Sequence, residues 1–345
     1  MHINILNENE CAIITDLINT SDKIIVCCHV NPDGDAIGST LAWTEYLRTL
    51  GKHPMLVVPD QFPDFLHWLP GADDILRYDK KKAVLDKAFS DADAIFCLDF
   101  NCAQRLDAMS DALLESKARK VMIDHHPNPE MDTVLTISHP ELSSTSELVF
   151  RLLWQLDAFE KMDNNMAIPI YCGMMTDTGG FTYNSNSPEI FFIISQLLTK
   201  NIDKDKIYRN VYNNYSASRL RLIGYILYQK MQVYEDYHVA YFTISRQDMN
   251  KFFFKKGDAE GLVNMPLQIK GLKMSISLRE DTEKDNLIWV SLRSVDDFPC
   301  NEVANKYFNG GGHLNAAGGR LYCTMEEAEN IVKLAIIHFQ ERLRL

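Results

Sequence analysis

DAIFCLDFNCAQRLDAMSDALLESKARKVMIDHH, residues 93–126, reads as one strand–helix–strand unit. Its two apolar runs, DAIFCLDF (93–100) and RKVMIDHH (119–126), flank the amphipathic stretch DAMSDALLESK (107–117). A strand without polar alternation is buried on both faces, and two such strands joined by a helix pair in parallel. Upstream, IIVCCHV (24–30) and HPMLVVP (53–59) repeat the strand pattern, with helical stretches at 36–50 and, more weakly, near 80–90. Downstream, SSTSELVFRLLWQL (143–156) opens on helix-capping hydroxyls with Glu147 in its first turn. AIPIYCGMMTDTGGF (167–181) is an apolar element ending in a glycine turn. The expected fold is α/β, with a parallel-sheet N-terminal domain over residues 1–205.

A polar helical linker is expected over 206–235, after which the pattern changes. YHVAYFTIS, KMSISLRE and NLIWVSLRS read as strands, and EVANKYF (302–308) and MEEAENIVKLAIIHFQERL (325–343) as helices. Residues 236–345 therefore predict a smaller α+β C-terminal domain.

Composition narrows the function. The 345 residues are 46% hydrophobic and 24% charged, as a chain with a well-buried core requires. No apolar run approaches a bilayer-spanning length, and the first twenty residues lack a secretory pattern, so no membrane partner and a cytoplasmic location are expected. The eight cysteines form no CxxC pair and read as reduced thiols. A formal net charge of −12 without a basic stripe argues against a partner that is a long nucleic acid, because phosphate neutralisation supplies most of that affinity. A nucleotide substrate should be short, with metals supplying the missing positive charge.

The acids and histidines cluster at strand ends. His29 closes the first strand, and Asp33 and Asp35 follow in HVNPDGDAIGS (29–39). Asp99 closes a later strand, Asp124-His125-His126 the next, and Asp177 lies in MTDTGGF. In a parallel sheet all strand C-termini open onto one edge, where ligands bind. Singly, each group has a plainer reading: a turn at Asp33 and Asp35, a helix cap at Asp99, satisfied core groups at the histidines. Their coincidence on one rim points to metal. Asp33, Asp35, Asp99 and Asp177 bring four negative charges, enough for two divalent cations, and carboxylate–imidazole sets suit manganese, magnesium or iron. Aspartates two apart can serve neighbouring ions, with Asp99 between them.

HVNPDGDAIGS, CLDFN, VMIDHHP and GMMTDTGGF together resemble the four motifs of the DHH phosphoesterase family, and NGGGHLNAAGG (309–319) resembles the signature of its associated C-terminal domain. SSTSELVF and EGLVNMP (260–266) are similar to secondary patterns of the family. The nearest resemblance is to the compact branch of nano-RNases and pAp phosphatases. It implies that His29, Asp33 and Asp99 hold one manganese, and that Asp35, Asp99, His125 and Asp177 hold the other. It also implies that Asp124 fixes an imidazole tautomer and that His126 faces the substrate phosphate as a catalytic group. In the C-terminal domain it implies phosphate or nucleoside binding by Arg279, Arg293, Gly310, Gly311, Gly312 and His313. Glycines permit close backbone approach and arginine presents a planar fork to phosphate.

The expected activity is hydrolysis of short oligonucleotides and 3′-phosphoadenosine 5′-phosphate in a cleft between the domains, through two divalent ions. A cyclic-dinucleotide phosphodiesterase is the rival within the same chemistry. A manganese-dependent inorganic pyrophosphatase fits less well, since the C-terminal domain of that group lacks GGGH. A non-catalytic nucleotide sensor is the rival from another class. The sequence leaves a homodimer open.

Overall fold

The computed structural model describes residues 3–344 and divides into two compact units, Met1–Asn214 and Tyr215–Leu345. In the first unit, α1 (Glu8–Thr20) precedes β1 (Ile24–Cys27), α2 (Gly34–Thr49), β2 (Met55–Val58) and β3 (Leu76–Arg77). Next come α3 (Tyr78–Asp91), β4 (Ala94–Leu98), α4 (Ser110–Glu115), β5 (Arg119–Asp124) and β6 (Leu135–Ser138). Four helices close the unit: α5 (Thr145–Gln155), α6 (Asn164–Asp177), α7 (Pro188–Leu198) and α8 (Lys204–Tyr212).

The six strands form one sheet in the order β3-β2-β1-β4-β5-β6, and every pairing is parallel. Alternate strand residues feed opposite faces. Val26, Phe96, Leu98 and Ile123 pack with Leu41, Trp43, Leu148 and Ile170 from α2, α5 and α6. Ile25, Cys27, Ile95 and Cys97 pack on the other face with Leu85, Phe89 and Leu113 from α3 and α4. This double covering is why the strands read as unbroken apolar runs.

Two sequence expectations change in detail. The helix expected over 107–117 is a 3-10 turn, Ala103–Met109, followed by α4, because Asp107 takes φ +48° and breaks the spiral. The apolar element at 167–175 lies within helix α6, which contains Pro169 and is buried along most of its length.

Three helices meet almost backbone to backbone. A Cβ on Gly38 of α2 would lie 2.4 Å from the Pro169 carbonyl oxygen of α6, and one on Gly173 would lie 1.9 Å from Ser146 Oγ of α5. Glycine is required at both crossings. The same contacts bring Asp35, on α2, against the start of α5.

The second unit contains α9 (Ala217–Tyr225), β7 (Gln232–Tyr234), β8 (Val239–Ile244), α10 (Arg246–Lys251), β9 (Met274–Glu280) and β10 (Leu287–Ser294). It ends with α11 (Cys300–Tyr307), β11 (Gly311–His313), β12 (Ala316–Tyr322) and α12 (Met325–Arg344). Its sheet runs β11-β12-β10-β9-β8-β7; β8 and β9 are parallel and the other pairs antiparallel. Ile276, Leu278, Val290 and Leu292 form a core with Val332, Ile336 and Phe339 of α12. Among the described residues no helix is long and apolar enough to cross a membrane.

The glycine segment is part of this sheet rather than a free loop. A Cβ on Gly310 would lie 1.8 Å from the Gly318 carbonyl oxygen, and one on Gly312 (φ +145°) would lie 2.4 Å from that of Ala316. Close approach within the β11–β12 hairpin thus requires these two glycines. Among the described residues nothing lies within 4 Å of the Cβ position of Gly311.

Candidate metal centre

The first sheet winds outward from β1 through β2 to β3, and outward on the other side from β4 through β5 to β6. Its strand order reverses between β1 and β4, and loops leaving such neighbours in opposite directions open a crevice at their C-terminal ends. His29 follows β1, Asp99 follows β4, and Asp124 ends β5 with His125 and His126 directly behind it. Asp33 is the N-cap of α2, its Oδ1 accepting from the backbone N–H groups of Asp35 and Ala36, each at 3.0 Å. The capping role, which the sequence reading gave as a turn, leaves the ligand role open, because one carboxylate oxygen suffices for the cap. Asp177 arrives differently, as the last residue of α6.

Asp99 is the hub. It is 2% exposed and takes φ +64°. Its Oδ2 lies 3.3 Å from His29 Nε2, and its Oδ1 lies 3.6 Å from His125 Nε2 and 3.7 Å from His126 Nδ1. His125 Nε2 also lies 3.5 Å from Asp177 Oδ2 and 3.9 Å from Asp35 Oδ2. Ligand atoms of His29, Asp33 and Asp99 lie within 4.8 Å of one another, as do those of Asp35, His125 and Asp177. All six expected ligands are thus brought together in two adjacent groups.

The backbone sets the histidine tautomers. His29 Nδ1 lies 2.8 Å from the Val30 carbonyl oxygen and His125 Nδ1 lies 3.3 Å from that of Leu142. A carbonyl only accepts, so both rings carry hydrogen on Nδ1 and present Nε2 to the carboxylates. His126 differs: its Nδ1 donates to Asp124 Oδ1 at 2.7 Å, and Asp124 is fully buried. The second Asp124 oxygen has no hydrogen-bond partner among the described residues.

The charges are strongly coupled. Burial and the neighbouring charges of Asp99 and Asp177 push the Asp35 carboxyl well above its ordinary range. Burial pushes Asp99 up too, but His29, His126 and His125 outweigh it and hold the carboxyl low. For His125, burial favours the neutral ring, yet Asp177, Asp99 and Asp35 together push it up to about 9. Burial and Arg105 oppose protonation of His29, while Asp99 and Asp33 raise it. Buried carboxylates crowded this closely need protons or cations to neutralise them. The oxygen and imidazole donors, with no thiolate among them, fit hard divalent ions such as manganese or magnesium.

Thr145 and Ser146, at the start of α5, have no assigned role in the sequence reading beyond helix capping. Thr145 N and Ser146 N donate to Asp35 Oδ2 and Oδ1 at 2.6 and 2.8 Å. Thr145 Oγ1 donates to Asp99 Oδ1 at 2.9 Å. Their signal was a run of hydroxyls heading an apolar helix; the partners lie 110 and 46 residues away, beyond any local pattern. The helix N-terminus also favours nearby anions electrostatically.

In the second unit, Arg279 pairs in register with Trp289, while Arg293 pairs with Ala316, which pairs in turn with His313. Residues paired directly across a sheet share a face, as do residues four apart on one strand. Arg279, Arg293 and His313 therefore lie on one face, opposite the Ile276–Leu292 core. Arg293 Nε is buried without a hydrogen-bond partner among the described residues, an N–H donor suited to an anion. Burial lowers the Arg279 guanidinium and Asp281 partly counters it.

Comparisons with known proteins agree with both units. Residues 23–174 match the DHH family, N-terminal domain, and residues 236–340 match the DHHA1 domain. The chain is 29% identical over 327 residues to the bifunctional oligoribonuclease and PAP phosphatase NrnA of Bacillus subtilis, covering 92% of this chain and 96% of that one. It is 52% identical to an exopolyphosphatase-related protein from Bacteroides fragilis, whose crystal structure superposes with TM-score 0.94 over 99% of each chain. RecJ from Thermus thermophilus, solved in complex with Mn2+, shares 13% identity at TM-score 0.57, covering 97% of this chain and 54% of that one, and so shares the fold.

Proposed function

Because this chain belongs to the DHH family of phosphoesterases, with the family's N-terminal domain and a DHHA1 domain, we propose that it is a two-metal hydrolase of short oligonucleotides and of 3′-phosphoadenosine 5′-phosphate. The observation that carries the proposal is the pair of acid–imidazole groups joined through Asp99 at the sheet reversal. His29, Asp33 and Asp99 would hold one ion; Asp35, Asp99, His125 and Asp177 would hold the second, with manganese the preferred metal. Bound there, the two cations would neutralise phosphoryl oxygens and acidify water for attack on phosphorus.

The protein groups have separable tasks in this reading. Hydrogen bonds from Thr145, Ser146, His29 and His125 orient the donors before substrate arrives. Asp124 holds His126 through Nδ1, which leaves Nε2 as the atom that would pass a proton to the departing oxygen. Arg279, Arg293 and His313, with the Gly310–Gly312 backbone, would bind phosphate and nucleoside, the arginines as charge-assisted donors. The −12 charge favours a short substrate gripped locally over a long one tracked along a groove.

The test is a panel at fixed manganese concentration: dinucleotides, 3′-phosphoadenosine 5′-phosphate, cyclic di-AMP, linear pApA, inorganic polyphosphate and long RNA. Dinucleotides and 3′-phosphoadenosine 5′-phosphate should be hydrolysed fastest. Faster cleavage of long RNA than of dimers, or a clear preference for polyphosphate or cyclic di-AMP, reverses the substrate assignment. Tight nucleotide binding by calorimetry without turnover makes the protein a sensor instead.

A further inference from the structure

KFFFKK, residues 251–256, ends α10 in a form the fold does not ask for. Phe253 N donates to the Asn250 carbonyl oxygen at 3.3 Å and Phe254 N to that of Met249 at 2.9 Å. These two bonds make a Schellman closure, whose left-handed position is ordinarily glycine. Here that position is Phe253, at φ +53°, where a bulky side chain is disfavoured. The residue is 78% exposed, so burial does not compensate. Phe181, also left-handed, instead packs against Tyr171 with ring centroids 5.6 Å apart.

The surroundings are cationic in a chain that is otherwise acidic. Lys251, Lys255 and Lys256 are exposed on the same segment, and Lys251 Nζ lies 4.5 Å from the Tyr225 ring centroid. The neighbouring Phe254 ring lies 5.7 Å from the guanidinium carbon of Arg279, an arginine already proposed to bind phosphate. An exposed aromatic on a lysine-rich segment, one residue from the phenylalanine that meets Arg279, matches the chemistry of single-stranded nucleotide recognition: bases stack on the ring and lysines meet the backbone.

We infer that Phe253 is a stacking platform for one nucleobase of the bound oligonucleotide, with Lys255 and Lys256 serving its phosphate backbone. The inference rests on the oligonucleotide reading above and adds to it a subsite that selects for a base. The backbone strain at Phe253 is then retained for the ligand, not for the fold.

The experiment uses the full-length, manganese-loaded protein and dinucleotides that are intact or carry an abasic ribose at one of the two positions. Phe253→Ala should lower kcat/KM on the intact dimer about tenfold or more. It should cause no further loss on the abasic dimer that lacks the stacked base, and Phe253→Tyr should restore wild-type turnover. Phe253→Gly should lose the same activity yet melt no lower than wild type, which separates ligand binding from folding. Equal turnover by Phe253→Ala and wild type, or an equal loss on intact and on both abasic dimers, overturns the inference alone. So does self-association that Phe253→Ala abolishes with turnover unchanged, since the ring would then serve an interface. Wild-type inertness toward every nucleotide overturns the function reading, and the inference with it.

Discussion

Replacing Thr145 by valine deletes one hydroxyl and little else. Valine keeps the β-branched shape and the backbone N–H that Asp35 Oδ2 accepts at 2.6 Å. Only the 2.9 Å bond from Thr145 Oγ1 to Asp99 Oδ1 disappears. Both residues are buried, so solvent does not replace the lost donor. A hydrogen bond to a charged group contributes about 1.5–3 kcal/mol, and loss of a partner that orients a metal ligand typically weakens metal affinity by about 10–100-fold. Thr145→Val should therefore bind manganese about 10–100-fold more weakly in isothermal titration, and excess metal should recover much of the turnover. Thr145→Ser retains the hydroxyl and should stay within about threefold of wild type. Wild-type manganese affinity in the valine variant would refute the claim that Asp99 depends on this bond; equal loss in the serine variant would move the cause to packing.

Asp99→Ala should abolish turnover and weaken manganese uptake in a chain that still folds; near-normal activity removes the shared-carboxylate assignment. In chelated protein, His125 sits at about 9 against an ordinary 6.5. Its raised pKa contributes stability that is complete below about pH 6.5 and is lost as pH rises through about 9. Melting temperatures of chelated wild type should fall across that window relative to His125→Gln, and parallel curves would contradict the assignment. Manganese uptake in the same window should release protons, measurable by calorimetry in buffers of different ionisation enthalpy. Gly173→Ala puts a Cβ 1.9 Å from Ser146 Oγ and 3.0 Å from Asp35 Oδ1. It should cost about 1–3 kcal/mol in thermal unfolding and weaken metal binding together; an unchanged melt would mean the helices part without penalty. Arg293→Ala should raise KM for nucleotides about tenfold or more while manganese affinity holds, and a fall in metal affinity instead would deny it a substrate role.

Much of this is legible in the sequence. Doubly covered strands must be apolar throughout, so residues 24–27, 55–58, 94–98 and 119–124 stood out, and the acids behind them marked a rim. What stayed hidden has physical causes. Leu76–Arg77 and Leu135–Ser138 are edge strands too short to carry a period. Helix α6 is buried along most of its length and carries Pro169 within it, so neither amphipathic spacing nor propensity announces it. The hydroxyl of Thr145 reaches Asp99 only after the sheet has formed. The glycines at 310 and 312 read as ligand-approach positions, whereas their tightest neighbours are backbone atoms of the facing strand.

His29, Asp33, Asp35, Asp99, His125 and Asp177 all belong to the first compact unit, which has its own sheet and hydrophobic interior. On the function proposed above, ion capture would fall to that unit alone, while the arginines and the aromatic–lysine segment belong to the other. Mutation would then retune recognition on the second module and leave the proposed reactive groups on the first undisturbed. Divergent specificities on a common cutting engine are the natural outcome of that division of labour.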